Sequence, residues 1–354
     1  MKTNVDRRGF LGQAAAVAAG VVAAAGSAPV WNEMVEAAAP VQPSVARIGL
    51  QLYTIGDLVS ANIDQALESV AKVGYRFVEF AGYGGRTPEQ IRATLDRLKL
   101  TSPSSHISWA SMKSDFDTQV RIAEVVGHQY ITIPSLGNEM PTTADGWKKI
   151  ADDFNAMATK LKAKKIGLAF HSHRDEFADM GGGKKGMDIF IAGTDPSLVT
   201  FEIDLGWATV AGEDPLAWFS RYPGRVKMWH VKDILALQSA QQAQQQRFKT
   251  LTAPATAPAP APAPAPIAAP GSGAPSAAAG APPAGGPGRG SAPAVTGGPV
   301  PIGAGEIDYK PIFAQWKTSG LEYFFVEQDG AANWPGGSLV AITTSYRNLV
   351  NLLR

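Results

Sequence analysis

The sequence predicts a single α/β domain, a closed parallel (β/α)8 TIM barrel. Eight short apolar runs alternate with helical patterns between Arg47 and Arg354. Three of the helices end Val73-Gly74, Val126-Gly127 and Ser319-Gly320 and give way directly to the next run, glycine being the usual left-handed helix stop. Short connections throughout favour a barrel ringed by helices. A doubly wound open sheet is the competing arrangement, but no Gly-rich phosphate turn follows the first strand.

The expected strands are Ile48–Tyr53, Phe77–Phe80, a weaker one at Ser102–Ile107, Tyr130–Ile133, Ile166–Phe170, Val199–Ile203, Val226–His230 and Tyr323–Glu327. Each is a short apolar or β-branched run of strand length. The helices read Asn62–Val73, Pro88–Leu98, Asp117–Val126, Thr143–Lys162, Met187–Ala192, Pro215–Arg221, Tyr309–Thr318 and Leu339–Leu353.

Two segments stand outside this pattern. In residues 1–39, Asp6-Arg7-Arg8-Gly9-Phe10-Leu11 precedes the Ala-rich run Ala14–Ala25 and further small residues up to Ala39. This reads as a twin-arginine signal peptide and leader, hence a periplasmic or secreted protein exported already folded. Residues 238–298 form a Pro/Ala/Gly-rich low-complexity insertion within the barrel of residues 40–354. It opens Gln-rich and continues in Ala-Pro repeats, with too little apolar bulk to bury, so it is expected to be disordered. It divides no domains, because the sequence after it is too short to fold alone.

The chain has 354 residues, no cysteine and a formal charge of +1. Disulfides, thiolate ligands and thiol nucleophiles are therefore excluded. The charge balance offers nothing to nucleic acid or an anionic membrane surface, and beyond the leader no stretch suits stable membrane insertion.

Metal-ligand side chains recur where strands end. His106, His171, His173 and His230 stand at or just past strand ends, as do Asp204 and Glu327. A polar residue there is costly unless satisfied, and in barrels of this class the strand C-termini carry the active site. Asp204, His230 and Glu327 end strands six to eight, and His171 or His173 ends strand five. Together they suit one divalent metal, Mn²⁺, Co²⁺, Fe²⁺ or Zn²⁺, with no soft ligand to favour copper. Glu202, two before Asp204, points to the same side. Lys232 is placed to polarise a substrate oxygen, with Asp233 beside it. Gln51, Glu79 and His106 are candidates to bind substrate, and Trp109, Trp207 and Trp334 to wall a sugar ring. His128 precedes its strand and belongs to the opposite, stability face.

Five motifs in order, Ile166-Gly-Leu-Ala-Phe-His-Ser-His-Arg-Asp-Glu-Phe, Glu202-Ile-Asp-Leu-Gly-Trp, Gly224-Arg-Val-Lys-Met-Trp-His-Val-Lys-Asp, Gly303-Ala-Gly-Glu-Ile-Asp and Phe325-Val-Glu-Gln-Asp, resemble the sugar phosphate isomerase/epimerase group. That group belongs to the xylose isomerase-like TIM barrel superfamily, together with inosose dehydratase and endonuclease IV. The resemblance implies a divalent metal on His171 (or His173), Asp204, His230 and Glu327. It also implies removal of a proton α to a carbonyl through a metal-stabilised enediolate. Many epimerases of the superfamily carry glutamate where this chain has His171, so of a facing carboxylate pair only Glu327 remains.

The expected function is thus an exported, metal-dependent carbohydrate isomerase or epimerase, with Glu327, His173 and Lys232 as its catalytic groups. The alternatives are a lyase, dehydratase or hydratase acting on a keto-inositol or 3-keto-glycoside, and, in another class, a sugar-binding barrel without turnover. The expected partner is a small carbohydrate, not nucleic acid, and a homo-oligomer is compatible with the sequence.

Overall fold

The computed structural model describes residues 40–251 and 297–354, so the predicted leader and most of the low-complexity tract lie outside the described residues. Eight parallel strands close a barrel: β1 (Ile48–Gln51), β2 (Phe77–Phe80), β3 (Thr101–His106), β4 (Tyr130–Ile133), β5 (Gly167–Ser172), β6 (Val199–Asp204), β7 (Val226–Val231) and, after a short β8–β9 hairpin (Asp233–Leu235 and Gly298–Val300), β10 (Tyr323–Val326). Each strand pairs with the next, and β10 closes on β1 with Ile48 opposite Phe324. The predicted barrel is the observed one.

The outer ring is α1 (Gly56–Val73), α2 (Pro88–Leu98), α3 (Trp109–Ser114), α4 (Phe116–Val126), α5 (Ala144–Lys162), α6 (Gly186–Gly193), α7 (Leu205–Val210), α8 (Pro215–Arg221), α9 (Leu237–Leu251), α10 (Tyr309–Ala314), α11 (Trp316–Ser319) and α12 (Gly337–Leu352). Asn62 lies in α1 with extended dihedrals, and its Oδ1 accepts the Gln65 N–H at 3.1 Å, so it caps the main run of the helix. The single helix expected over Tyr309–Thr318 is broken at Gln315.

One expectation needs correction. The Gln-rich start of the insertion is not disordered: Leu237–Leu251 is a helix. It docks through polar side chains as well as through Phe248, which packs against the core. Gln241 donates to the Thr209 carbonyl, Gln244 donates to Asp175, and Arg247 forks onto the same carboxylate.

Strand alternation fills the barrel in layers. Low in the barrel, Arg47 lies over the Phe77 and Tyr323 rings, and the buried Glu322 takes Tyr130 Oη at 2.6 Å and Lys227 Nζ at 2.9 Å. Above comes a small apolar layer of Ala169, Met228 and Phe325, for which Gly49 leaves room, since a Cβ there would meet Phe325 at 2.6 Å. Two residues further along the same strands stand Gln51, Glu79, His171, His230 and Glu327. The apolar layers beneath therefore aim these polar side chains into the upper mouth.

His128 precedes β4 and is buried in the wall, its Nδ1 2.9 Å from the Ser102 carbonyl oxygen and its Nε2 3.0 Å from Tyr83 Oη. Burial lowers its pKa to about 4. A folded-state value below the unfolded one means stability that is complete above about pH 6.5 and lost as pH falls toward 4. Replacing His128 with asparagine should remove that loss. Between pH 7 and 4.5, the denaturant-measured stability gap between wild type and variant should shift by about 2 kcal/mol in the variant's favour.

Candidate active site

Gln51, Glu79, His106, His171, Glu202, Asp204, His230, Lys232 and Glu327 are at least nine-tenths buried at the mouth formed by the strand C-termini, while His173, Trp207 and Trp334 are part-exposed. The centre is a junction of imidazoles and carboxylates. Glu202 Oε2 lies 3.0 Å from His106 Nε2, 2.9 Å from His171 Nδ1 and 3.1 Å from His230 Nε2. Glu79 Oε2 lies 2.7 Å from His230 Nε2 and 3.3 Å from His106 Nε2, and Gln51 Nε2 donates to it at 2.8 Å. Gln51 Oε1 is already taken by the Tyr53 N–H, so this residue orients Glu79.

On the far side of His230, Nδ1 lies 3.0 Å from Glu327 Oε2. Here the cation is Lys232, completely buried, with Nζ 2.7 Å from Asp204, 2.9 Å from Glu327 and 2.6 Å from Asp329. Its ammonium also sits 4.6 Å from the centre of the Trp207 ring, which Arg174 covers at 4.8 Å. Asp329 is 38% exposed, so this side opens to solvent.

The charge states follow from these contacts. Burial opposes a charged Lys232, but the carboxylates outweigh it and hold the amine protonated. Burial also opposes the Glu327 anion, yet Lys232 and His230 keep it ionised. Asp204 is pushed up to about 7, burial exceeding the pull of Lys232, so it carries a proton more readily than Glu327 does. His173 is lowered to about 4, by burial and then by Lys232, and is neutral near pH 7. Glu176, absent from the sequence-level candidates, accepts the His173 backbone N–H at 3.1 Å and is raised by burial to about 7.

Local sequence explains why these groups stay in place. Asp204 ends β6 and caps α7, its Oδ1 accepting the Trp207 N–H at 2.8 Å. Gly206 is required where α7 starts, because a Cβ there would come within 2.5 Å of the Lys232 carbonyl oxygen and 2.9 Å of its stem. Asp233 does no chemistry at the mouth. Its carboxylate accepts the N–H groups of Gly303, Gly305 and Ile307, fixing the chain where it returns after the insertion. Tyr309 then brackets the Lys232 backbone, accepting its N–H and donating to its carbonyl. Gly206→Ala should therefore push Lys232 off its carboxylates. We expect activity to fall about 100-fold, as a 1 Å misplacement can cost this much, and the variant to melt below wild type, because the forced contact itself costs about 1 to 3 kcal/mol.

Trp109 is buried and stacks on Phe154, so it walls no substrate space. His128 takes no part in the junction. Two overlapping groups of side chains have ligand geometry: His171, Asp204, His230 and Glu327, as anticipated, and His106, His171, Glu202 and His230. A divalent cation fits the chemistry of this mouth. Glu79 Oε1 and Glu202 Oε1 are buried with no hydrogen-bond partner among the described residues, a state an ion would relieve.

The fold and site define a closed parallel barrel in which imidazoles and carboxylates that could hold a metal ion converge at the C-terminal mouth. The xylose isomerase-like TIM barrel family model matches residues 67–340, and the chain belongs to that family. It is 26% identical over 194 residues to an inosose dehydratase of Lacticaseibacillus casei, covering 48% of this chain and 63% of that protein. The match thus spans under two thirds of this relative's length. A sugar phosphate isomerase/epimerase of Parabacteroides distasonis superposes with a TM-score of 0.62 at 20% identity, covering 87% of this chain and all of that one. A zinc-bound IolI protein superposes at 0.58 with 12% identity, over 87% and 98% of the two chains. Among the described residues no helix is long and apolar enough to cross a membrane.

Proposed function

We propose that this protein is a metal-dependent carbon–oxygen lyase acting on a polyhydroxylated ketone, of the inosose or 3-keto-glycoside type. It removes a proton α to the carbonyl and expels a β-hydroxyl or β-alkoxy group. The observation that carries this reading is the asymmetry of the mouth. Epimerisation by proton shuttling calls for two matched bases across the substrate. Here an ionised Glu327 pairs with a buried ammonium that is shared with the readily protonated Asp204, and a neutral His173 stands edge-on to His171. That is a base beside an acid, the pairing elimination needs.

Glu327, or the neutral His173, takes the proton. Lys232 holds the departing or carbonyl oxygen, and Asp204 returns a proton to the leaving group. Glu176 fixes the His173 backbone, and Trp207 keeps Lys232 dry and offers an apolar face to a ring. A divalent ion held around His171 and His230 supplies electrophilic stabilisation of the enolate charge. The similarity to inosose dehydratases supports elimination over isomerisation.

Asp6-Arg7-Arg8-Gly9-Phe10-Leu11 before an apolar run supports export of the folded enzyme, with unphosphorylated substrates met outside the cytoplasm. The test is incubation of metal-reconstituted protein with inososes and 3-keto-glycosides in D₂O, followed by NMR. An unsaturated product is expected. Deuterated starting ketone with an inverted centre and no loss of water would make the enzyme an epimerase.

A further inference from the structure

We propose that the ion does not sit on Asp204 and Glu327 but on the opposite side of His230, held by His106, His171, His230 and Glu202, with Glu79 adjacent. This deepens the metal-dependent reading above and rests on it.

His230 stands between two carboxylate compartments, one nitrogen facing each. The compartment of Asp204, Glu327 and Asp329 already holds a cation, because Lys232 Nζ lies within 2.9 Å of all three. Asp204 Oδ1 accepts the Trp207 N–H, and its Oδ2, which makes no hydrogen bond among the described residues, is ion-paired with Lys232 at 2.7 Å. An ion bonded to the oxygens that Lys232 binds would lie against a buried ammonium and be repelled by it.

The other compartment is the reverse. Two carboxylates, Glu79 and Glu202, are fully buried, and among the described residues no lysine or arginine pairs with either. Each keeps one oxygen without a hydrogen-bond partner. Three imidazole nitrogens lie within 3.1 Å of a single Glu202 oxygen. With ligand bonds of about 2.1 Å, donor atoms around one ion stand about 3.0 to 3.4 Å apart, close to this spacing. With His230 Nε2 toward the ion, Nδ1–H is left to donate to Glu327, the carboxylate–histidine arrangement that orients a metal-bound imidazole. Lys232, Asp204 and Glu327 then remain free for proton transfer, which a shared ligand role would deny them.

Cobalt reports this directly. Full-length apoprotein is loaded with Co²⁺, its affinity is followed by visible absorption, and its shell is read by X-ray absorption. The expected shell of the wild type contains three imidazoles. His106→Ala and Glu202→Gln should each weaken Co²⁺ binding by about 100-fold, and Asp204→Asn by less than about 5-fold. A two-imidazole shell overturns the assignment whatever the variants do, as does a binding loss confined to Asp204→Asn. Wild-type protein that takes up no Co²⁺ overturns the metal-dependent reading itself, a separate outcome from ion binding at the other ligands.

Discussion

Lys232→Met should slow turnover by about 100- to 1,000-fold while leaving metal uptake in place. The ammonium is the only lysine or arginine cation paired with Asp204, Glu327 and Asp329 among the described residues, and it is completely buried. Methionine fills the space of the lysine stem beside Gly206 but leaves the buried carboxylates without their counter-ion. Breaking one member of such a cluster costs about 3 to 5 kcal/mol, so the variant should melt well below wild type. Removing a preorganised charge that acts on a substrate oxygen costs about 100- to 1,000-fold in kcat. Steady-state kinetics on a ketone substrate, with metal content measured in parallel, separates the two effects. Lower stability with full activity would assign Lys232 a structural role alone.

His230→Ala is the second large effect. This imidazole touches Glu79, Glu202 and Glu327, so its removal strips a ligand common to both ligand groups and leaves three buried carboxylates facing each other. Without a metal, His230 is held protonated: burial alone would lower its pKa, and Glu202 and Glu327 more than reverse this. Metal uptake must therefore release that proton, so wild-type affinity should strengthen as pH rises. In His230→Ala we expect no stoichiometric metal by elemental analysis and activity lower by at least about 10,000-fold. Retention of one equivalent of metal would remove His230 from the ligands.

The barrel was legible because its strands are short apolar runs separated by capped helices, and alternation along a strand needs no tertiary information. The same alternation pointed Glu202 and Asp204 inward together. It did not reveal that Glu202 is where three histidines meet, because that depends on the register of β6 against β5 and β7. Nor did it mark Glu176, whose role comes from a backbone hydrogen bond three residues away. Gln241, Gln244 and Arg247 read as low complexity because their partners, in the segment after β5 and in α7, are far off in the chain. Trp109 and Trp207 looked alike from sequence. One stacks in the core and the other covers the buried Lys232 ammonium, a difference set by helix packing.

The most direct test is single-turnover NMR in D₂O of the metal-loaded protein with an inosose and a 3-keto-glycoside. Metal-dependent loss of the α-proton, with formation of an unsaturated ketone, is the predicted result. A fully metal-loaded protein that returns every ketone of the panel unchanged, with no deuterium at the α-carbon, would contradict it and leave a barrel that binds sugar without turnover.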